Sequence, residues 1–221
     1  LHAAPSFIAV THGLIALTTA CVAFLALGRH RVLRGPFSYW AGLAFGAHTI
    51  CTIFYILCWP GLGAGSDSLL GVGPDVSGWA FVVTHLLVGV LLVVAAVSRR
   101  PGPEALAGWA WGCSVAAGLV LVVLGNLLLV AAGERLPAIV TDGRFTPMGG
   151  AATWMAALLL VAVAVLCSRK YHRSRDTLVA YVAIGAELLA FGDVLGISGG
   201  ERYSLLWYLS RAALVGGCLV V

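Results

Sequence analysis

Residues 108–132 read GWAWGCSVAAGLVLVVLGNLLLVAA and decide the fold. This tract carries no charged side chain, and Asn126 is its only side-chain amide. About 20 apolar residues in a row span the hydrocarbon core of a bilayer as a helix. A barrel strand would alternate polar and apolar residues, whereas the stretch from Leu119 to Leu124 is apolar on every side. The tract therefore predicts a transmembrane helix and not a strand.

The rest of the 221-residue chain repeats this pattern. It is 61% hydrophobic and only 10% charged, whereas a soluble domain is about 25% charged. The predicted spans are 6–27, 37–58, 78–98, 108–132, 149–167, 177–197 and 204–221. We therefore expect an all-α membrane protein, with residues 1–221 forming a single domain built as a seven-transmembrane-helix bundle. The composition argues against a disordered chain, a disulfide-built mini-protein and a nucleic-acid binder.

Basic residues distinguish the two sets of loops. Nine of them follow spans one, three and five: Arg29, Arg31, Arg34, Arg99, Arg100, Arg169, Lys170, Arg173 and Arg175. The opposite loops carry three, at Arg135, Arg144 and Arg202. Cytoplasmic loops are enriched in Lys and Arg, so we expect the N-terminus outside and the C-terminus in the cytoplasm. Because the sequence stops inside an apolar run, we also expect a cytoplasmic output domain after residue 221.

Catalytic motifs do not occur in the sequence. It contains no nucleophile elbow, no HExxH and no phosphate-binding glycine loop, so we expect no enzymatic activity within this fragment. Its six cysteines are dispersed without a CxxC pair, which is typical of small, reduced core residues.

Ionisable residues within the spans indicate where a site lies. Each costs about 2.5–3.5 kcal/mol at the centre of a membrane helix on insertion scales. The candidates are His12, His48, His85, Glu187, Asp193 and Arg211, with Asn126 as a neutral member. A rise of about 1.5 Å per residue places five of them, from five helices, at a depth of about 8–12 Å below the outer boundary. These five are His12, His85, Asn126, Asp193 and Arg211, and they predict a pocket in the outer half of the bundle.

Asp193 and Arg211 are predicted to pair, because an unpaired Arg among lipid tails costs more than one beside a carboxylate. Ser204, Trp207, Tyr208 and Arg211 follow helical spacing and should share one inward stripe. The predicted ligand-binding residues are His85, Asp193, Arg211, Tyr208, Trp207, Asn126, Glu187 and Trp79. A purely structural ion pair that locks two helices together is the alternative interpretation.

Two further functions stay open at this point. His12 and His85, at matched depth on different helices, could supply two axial ligands to a haem, which would make the chain a haem- or quinone-binding redox subunit. Glu187 and Asp193 could instead relay protons or cations in a small transporter. Neither a metal nor another cofactor is otherwise indicated.

Five tracts, in order along the chain, carry a family resemblance. They are Trp59-Pro60-Gly61; residues 70–74 (LGVGP) with Trp79 and His85; Leu136-Pro137 with residues 142–147 (DGRFTP); residues 173–176 (RSRD); and Arg202-Tyr203-Ser204 with Trp207, Tyr208 and Arg211. In these the chain resembles the fourth class of bacterial membrane-associated sensor domains, the MASE group, found N-terminal to diguanylate cyclase and histidine kinase modules. It departs from that pattern at Ala16, Tyr55 and Leu178, where an acidic residue, a histidine and a tryptophan are expected.

The resemblance implies a sensory input domain located in the bacterial inner (plasma) membrane. Such a domain would bind a small or lipid-like ligand in the outer half of the bundle and control an attached domain for cyclic-di-GMP synthesis or a kinase. It also implies a homodimer in the lipid bilayer, and a full-length protein that is a diguanylate cyclase or a histidine kinase. The sequence identifies neither the ligand nor the output domain.

Overall fold

The computed structural model describes residues 5–63, 68–98, 109–142, 144–199 and 204–221. Within them the chain forms seven α-helices, in agreement with the predicted all-α fold. The helices are α1 (Pro5–Leu33), α2 (Pro36–Leu57), α3 (Pro74–Val97), α4 (Trp109–Ala132), α5 (Pro147–Ser174), α6 (Thr177–Ser198) and α7 (Leu205–Val220). Three of the basic residues used to predict the orientation, Arg99, Arg100 and Arg202, lie outside the described residues.

Two helices continue well past the ends predicted for them at residues 27 and 167. Helices α1 and α5 run through basic sequence to Leu33 and Ser174, because a helix needs backbone hydrogen bonds and not an apolar surface to continue. Both end at an arginine in the left-handed region, Arg34 with φ 51° and Arg175 with φ 54°. Each of these arginines donates its backbone N–H to a carbonyl of the last turn, at 2.7 Å.

Six of the described helices, α1 to α6, are long and apolar enough to cross a membrane. This finding agrees with a multi-pass membrane protein. Helix α7 is apolar but has 16 residues, which makes it about 24 Å long, shorter than a hydrocarbon core of about 30 Å.

The helices arrange as a closed ring with one helix outside it. Neighbours around the ring are α1, α2, α3, α5, α6 and α7, and α7 closes it by packing against α1. Helix α4 lies outside the ring, against α2 and, more weakly, α3. Only two residues of α4, Val115 and Asn126, are buried. The sequence did not indicate that one of seven similar apolar helices would stand apart.

Glycines bring α6 and α7 into close contact. A Cβ added at Gly192 would lie 3.0 Å from the carbonyl oxygen of Ser210, and one at Gly185 would lie 2.8 Å from that of Gly217. Small residues of this kind let membrane helices approach closely. The contact places Asp193, which follows Gly192, beside the segment of α7 that carries Arg211.

We call the end of the bundle that holds loop 133–146 the hairpin end. There Val140–Thr141 and Arg144–Phe145 form a short antiparallel hairpin. Ile139, only 1% exposed, lies beneath it, and its backbone N–H donates to Asp75 Oδ1 at 3.1 Å. The loop is therefore docked on the bundle.

The opposite end, which we call the basic end, carries Arg31, Arg34 and Arg173 where α1 and α5 terminate. Arg29 of α1 donates two 2.8 Å hydrogen bonds to the carboxylate of Asp176, the N-cap residue of α6. Lys170 Nζ donates to the carbonyls of Ala96 and Ser98 at the end of α3, both at 3.1 Å. These contacts tie four elements of the ring together at one end.

Candidate functional site

Five helices of the ring each place one ionisable side chain in its interior. We call this group, His12, His48, His85, Asp193 and Arg211, the polar cluster; its members are between 1% and 6% exposed. The cluster adjoins buried aromatic side chains of the hairpin half, Tyr55, Trp59 and Trp207. The basic half of the interior is filled by apolar side chains instead. Of the five residues predicted to share one depth, His12, His85, Asp193 and Arg211 lie in this cluster, whereas Asn126 does not.

Asp193 pairs with a histidine and not with the predicted arginine. His85 Nδ1 lies 2.8 Å from Asp193 Oδ1, although outside hydrogen-bonding geometry. Both carboxylate oxygens of Asp193 are buried without a hydrogen-bond partner among the described residues. Both Asp193 and Arg211 are described, yet the ion pairs formed within 4.0 Å do not include one between them. The predicted Asp193–Arg211 pair is therefore wrong in this structure, because α3 brings an imidazole closer to the carboxylate.

Arg211 is held by aromatic rings. Its guanidinium carbon lies 4.6 Å from the ring centroid of Phe81 and 4.9 Å from that of Trp207. A cation over a ring face gains about 2 kcal/mol or more when desolvated. Its Nε is buried and has no hydrogen-bond partner in the described part of the chain. Ring stacking therefore stabilises the charge while leaving the Nε–H donor unused.

The predicted stripe on α7 begins at a capping residue. Ser204 caps the helix, its hydroxyl accepting from Trp207 N at 3.2 Å. Trp207 is 1% exposed, and Tyr208 packs edge-on against it with ring centroids 5.0 Å apart. Trp207, Tyr208 and Arg211 thus lie together, as the helical spacing predicted.

Two small cavities flank Phe81. The first, which we call the histidine cavity, has a volume of about 20 Å³ and is lined by His12, His48 and His85 among others. The second, also about 20 Å³, is lined by Arg211 and by residues of the docked loop. A cavity needs about 10–15 Å³ to hold one water molecule. Each therefore has room for about one water-sized molecule next to charged or hydrogen-bonding groups.

Two imidazole nitrogens facing this region also lack partners. His12 donates through Nδ1 to the carbonyl of Ile8 at 3.2 Å, but its Nε2 is buried without a partner among the described residues, as is His48 Nδ1. The His48 and His85 rings meet edge to face with centroids 6.0 Å apart. The cluster thus combines three histidines, one arginine and one carboxylate, and more hydrogen-bonding atoms than the described residues satisfy.

Five of the predicted ligand-binding residues are not members of the cluster. Trp207 adjoins it by stacking on Arg211, and Tyr208 packs on Trp207; the other three lie apart from it. Glu187 is on the exposed face of α6, next to the exposed side chains of Ile184 and Phe191. Asn126 lies on α4, outside the ring, and donates to Cys51 Sγ at 3.2 Å. Trp79 donates its indole N–H to the carbonyl of Pro137 at 2.9 Å and so anchors the docked loop.

Sequence reasoning missed several residues of the cluster region. His48 was a candidate, but the predicted ligand set omitted it. Tyr55 and Phe81, which line the histidine cavity, were not predicted. The available signal was helical spacing, since Tyr55 follows His48 by seven residues and Phe81 precedes His85 by four.

The cavity beside the histidines is too small for the haem predicted there. His12 and His85 line the same cavity of about 20 Å³, whereas cofactor sites measure about 300–1,000 Å³. The described residues include no group of three or more His, Cys, Asp or Glu that could hold a metal ion. A transporter is expected to have an interrupted helix at its binding site. The candidate for this, α6, runs continuously through Gly192 and Gly196.

No protein-family model, curated protein or solved structure gives a significant match to this chain. The resemblance to membrane-associated sensor domains therefore stays a prediction based on the sequence tracts alone. Functional inference depends on the geometry of the polar cluster.

Proposed function

We propose that this chain is the membrane-embedded input domain of a bacterial signalling protein. In this proposal α7 is the seventh span, the hairpin end faces outward and the basic end lies in the cytoplasm of a cell whose inner membrane holds the protein. The clustering of basic residues at one end supports this orientation. A small polar species, a proton or a molecule of about the size of water, would be the signal received at the polar cluster.

One observation carries the proposal: the buried polar atoms of the cluster are incompletely satisfied. His12 Nε2, His48 Nδ1, both Asp193 oxygens and Arg211 Nε lack hydrogen-bond partners within the described chain. A buried network that only stabilises a fold is normally satisfied, because each unpaired group costs about 1–3 kcal/mol. A cluster with unused donors and acceptors beside cavities of about 20 Å³ is suited to take up a small polar partner.

Signal transfer would run through α7. Asp193 now lies beside His85, while Gly192 holds α6 against the turn of α7 that carries Ser210 and Arg211. A signal that weakens the contact with His85 would favour pairing of Asp193 with Arg211. Because Arg211 is fixed to α7, that exchange would shift the helix, as two alternative packings of one element do in known switches.

The output follows from the resemblance. Helix α7 leads from the polar cluster to the basic end, so its displacement would reach the cytoplasmic side. Domains of the MASE group precede diguanylate cyclase and histidine kinase modules, and we include a module of this kind, working in a homodimer, in the proposal.

Spin-label distances across the basic end test this mechanism. Labels are placed at Val97 on α3 and Leu219 on α7, which are 54% and 63% exposed, after the exposed Cys21 and Cys113 are replaced by serine. In lipid nanodiscs, Asp193→Asn should shift the label distance, because the amide keeps the shape of the carboxylate but loses the charge that interacts with His85 and Arg211. Thr18→Val, which removes a hydroxyl bonded within α1, is the matched control.

An unchanged distance in an Asp193→Asn protein that melts like the parent would contradict signalling through α7. A shift of the same size in Thr18→Val would also contradict it, since the displacement would not depend on the cluster.

A further inference from the structure

A further cavity, much larger than the two at the polar cluster, opens between α2, α3 and α4. We call it the lateral groove; its volume is about 660 Å³, and its lining includes Trp40, Ala47, Val83, Leu91 and Gly125. Binding sites for small molecules typically measure about 300–1,000 Å³. Its lining is apolar except for Asn126, Cys51 and the indole of Trp40.

The groove exists because α4 packs loosely. Helix α4 contacts α2 where Leu119 lies 3.0 Å from the Cβ position of Gly46, but it has few contacts with α3. Its lining residues on α4 extend from Gly118 to Leu129, a length of about 16 Å along the helix axis. In the proposed membrane, this space opens toward hydrocarbon, where a long apolar chain fits and water does not.

Asn126 places one polar group in this apolar space. It is 5% exposed, and its Nδ2 donates to Val122 O at 2.9 Å and to Cys51 Sγ at 3.2 Å. Because the Val122 carbonyl requires a donor, these contacts identify the nitrogen and leave Oδ1 as an acceptor. No described residue donates to that oxygen. An amide oxygen without a donor in an apolar medium is costly.

We propose that the lateral groove binds an uncharged long-chain alcohol. Its hydrocarbon chain would lie along α4 toward the level of Trp40, and its hydroxyl would donate to Asn126 Oδ1. Asn126 lies six residues before the end of α4, hence about 9 Å inside the bundle. A phosphate or carboxylate head would lose its hydration at that depth, whereas a single hydroxyl needs only one acceptor.

The site is separate from the polar cluster but shares a wall with it. On α2, Cys51 lines the groove and the next residue, Thr52, lines the histidine cavity. On α3, Val83 lines the groove and Thr84 lines the histidine cavity. The inference rests on the membrane placement in the proposed function, and binding in the groove does not depend on signalling through α7.

Tryptophan quenching tests the proposal directly. The probe is a long-chain alcohol brominated near the middle of its chain, because bromine quenches an indole that it contacts; the methyl ether of the same alcohol lacks the donor. In detergent micelles the alcohol should quench fluorescence saturably, and Trp40→Phe should remove that saturable part. The ether, and the alcohol with Asn126→Leu, should bind about tenfold more weakly, as expected for one lost hydrogen bond in an apolar site.

Two glycine variants of α4 show whether the probe occupies the groove. A Cβ at Gly125 would meet nothing within 4 Å, so Gly125→Leu fills the groove without a clash and should abolish saturable quenching. Gly112→Leu is the matched control, since Gly112 is equally open but does not line the groove. Full quenching with Gly125→Leu, or equal affinities for the alcohol and its ether, would overturn the proposal.

The comparison of alcohol with ether uses the unmodified protein and so does not depend on any variant folding. Failure of this experiment would leave the spin-label result at the basic end intact. A constant spin-label distance would likewise leave the quenching result intact, so the two proposals fail separately.

Discussion

The contact between α6 and α7 and the position of α4 beside the ring show glycine in two opposite roles. Between α6 and α7, Gly185, Gly192 and Gly217 bring the backbones so close that an added Cβ would meet a carbonyl oxygen at 2.8–3.0 Å. On α4, a Cβ at Gly112 or Gly125 would meet nothing within 4 Å. The first set joins α6 tightly to α7 within the ring, whereas the second leaves space at its outside.

This difference separates two kinds of binding region. A buried charge needs partners held at fixed positions, and the closed ring holds Asp193 and Arg211 in such a place. An apolar chain needs volume and little directionality, and the loosely packed α4 provides a groove of about 660 Å³. Small polar signals and long apolar ligands would therefore bind on opposite sides of the α2–α3 wall.

The largest expected effect is the loss of Asp193. Asp193→Leu removes the carboxylate of the polar cluster, which lies beside His85, and leaves the buried Arg211 without an opposite charge in that cluster. It should destabilise the protein by about 3–5 kcal/mol, the range found when a buried charge loses its opposite charge. Arg211→Leu should cost a similar amount, because it removes the opposite charge of Asp193 and the contacts of the guanidinium with Phe81 and Trp207. Unfolding in detergent, followed by circular dichroism, measures both.

The double variant Asp193→Leu/Arg211→Leu tests whether the two charges depend on each other. It should be more stable than the sum of the single losses predicts, because the two opposite charges attract each other across the polar cluster although they form no ion pair within 4.0 Å. Strictly additive losses would show that Asp193 and Arg211 are independent, and would remove the basis for an exchange of partners.

A pair of glycine substitutions compares the tight α6–α7 contact with the loosely packed α4. Gly192→Leu would force atoms against Ser210 O and Leu214, and overpacking of this kind costs about 1–3 kcal/mol. Gly125→Leu meets open space and should stabilise α4 by about 0.8–1 kcal/mol through helix propensity. Equal destabilisation by both variants, measured by detergent unfolding, would mean that α4 is packed as tightly as the ring.

Arg29 and Asp176 should have a smaller effect, because their side chains are 33% and 24% exposed. Arg29→Ala should cost about 0.2–1 kcal/mol, less at high salt, as exposed ion pairs do. Asp176→Ala should cost about 1 kcal/mol more, since this residue also accepts from Leu178 N as the N-cap of α6. Equal losses for the two variants would show that the cap contributes nothing.

The sequence predicted positions along the helix axes well and rotations about them poorly. The predicted span 37–58 became Pro36–Leu57, because length and lack of charge determine where an apolar helix lies. Depth was also predictable, since His12, His85, Asp193 and Arg211 do gather in the hairpin half. Glu187 was included in the predicted ligand set, but it faces outward on α6.

The reason is that these helices are apolar on nearly all sides. In soluble proteins, an amphipathic pattern shows which face of a helix is buried. This pattern is absent when the lipid and the protein core are equally apolar. The separation of α4 from the ring depends on contacts between distant residues, such as Leu119 with Gly46, and no local pattern indicates these. The position of Asp193 beside His85, and not beside the predicted Arg211, also depends on contacts between distant residues.

The smallest expected effects come from the loss of single interhelical hydrogen bonds, one within the ring and one between the ring and α4. Thr19 and Thr49 join α1 to α2 within the ring through hydroxyls 2.9 Å apart, and Tyr39 joins α2 to α4 through Ser114 at 3.0 Å. Interhelical hydrogen bonds of this kind average about 0.6 kcal/mol in membrane proteins. Thr49→Val should therefore lower the global free energy of unfolding by about that amount.

Tyr39→Phe removes one bond of the same kind, but α4 can detach before the ring unfolds. Its effect should appear as faster hydrogen exchange in residues 114–122 of α4, with little change in global stability, because weakly attached elements open locally. If Tyr39→Phe lowered the global midpoint as much as Thr49→Val and left exchange in α4 unchanged, α4 would unfold together with the ring. The lateral groove would then be a fixed cavity of one cooperative bundle, and an alcohol bound there would stabilise all seven helices equally.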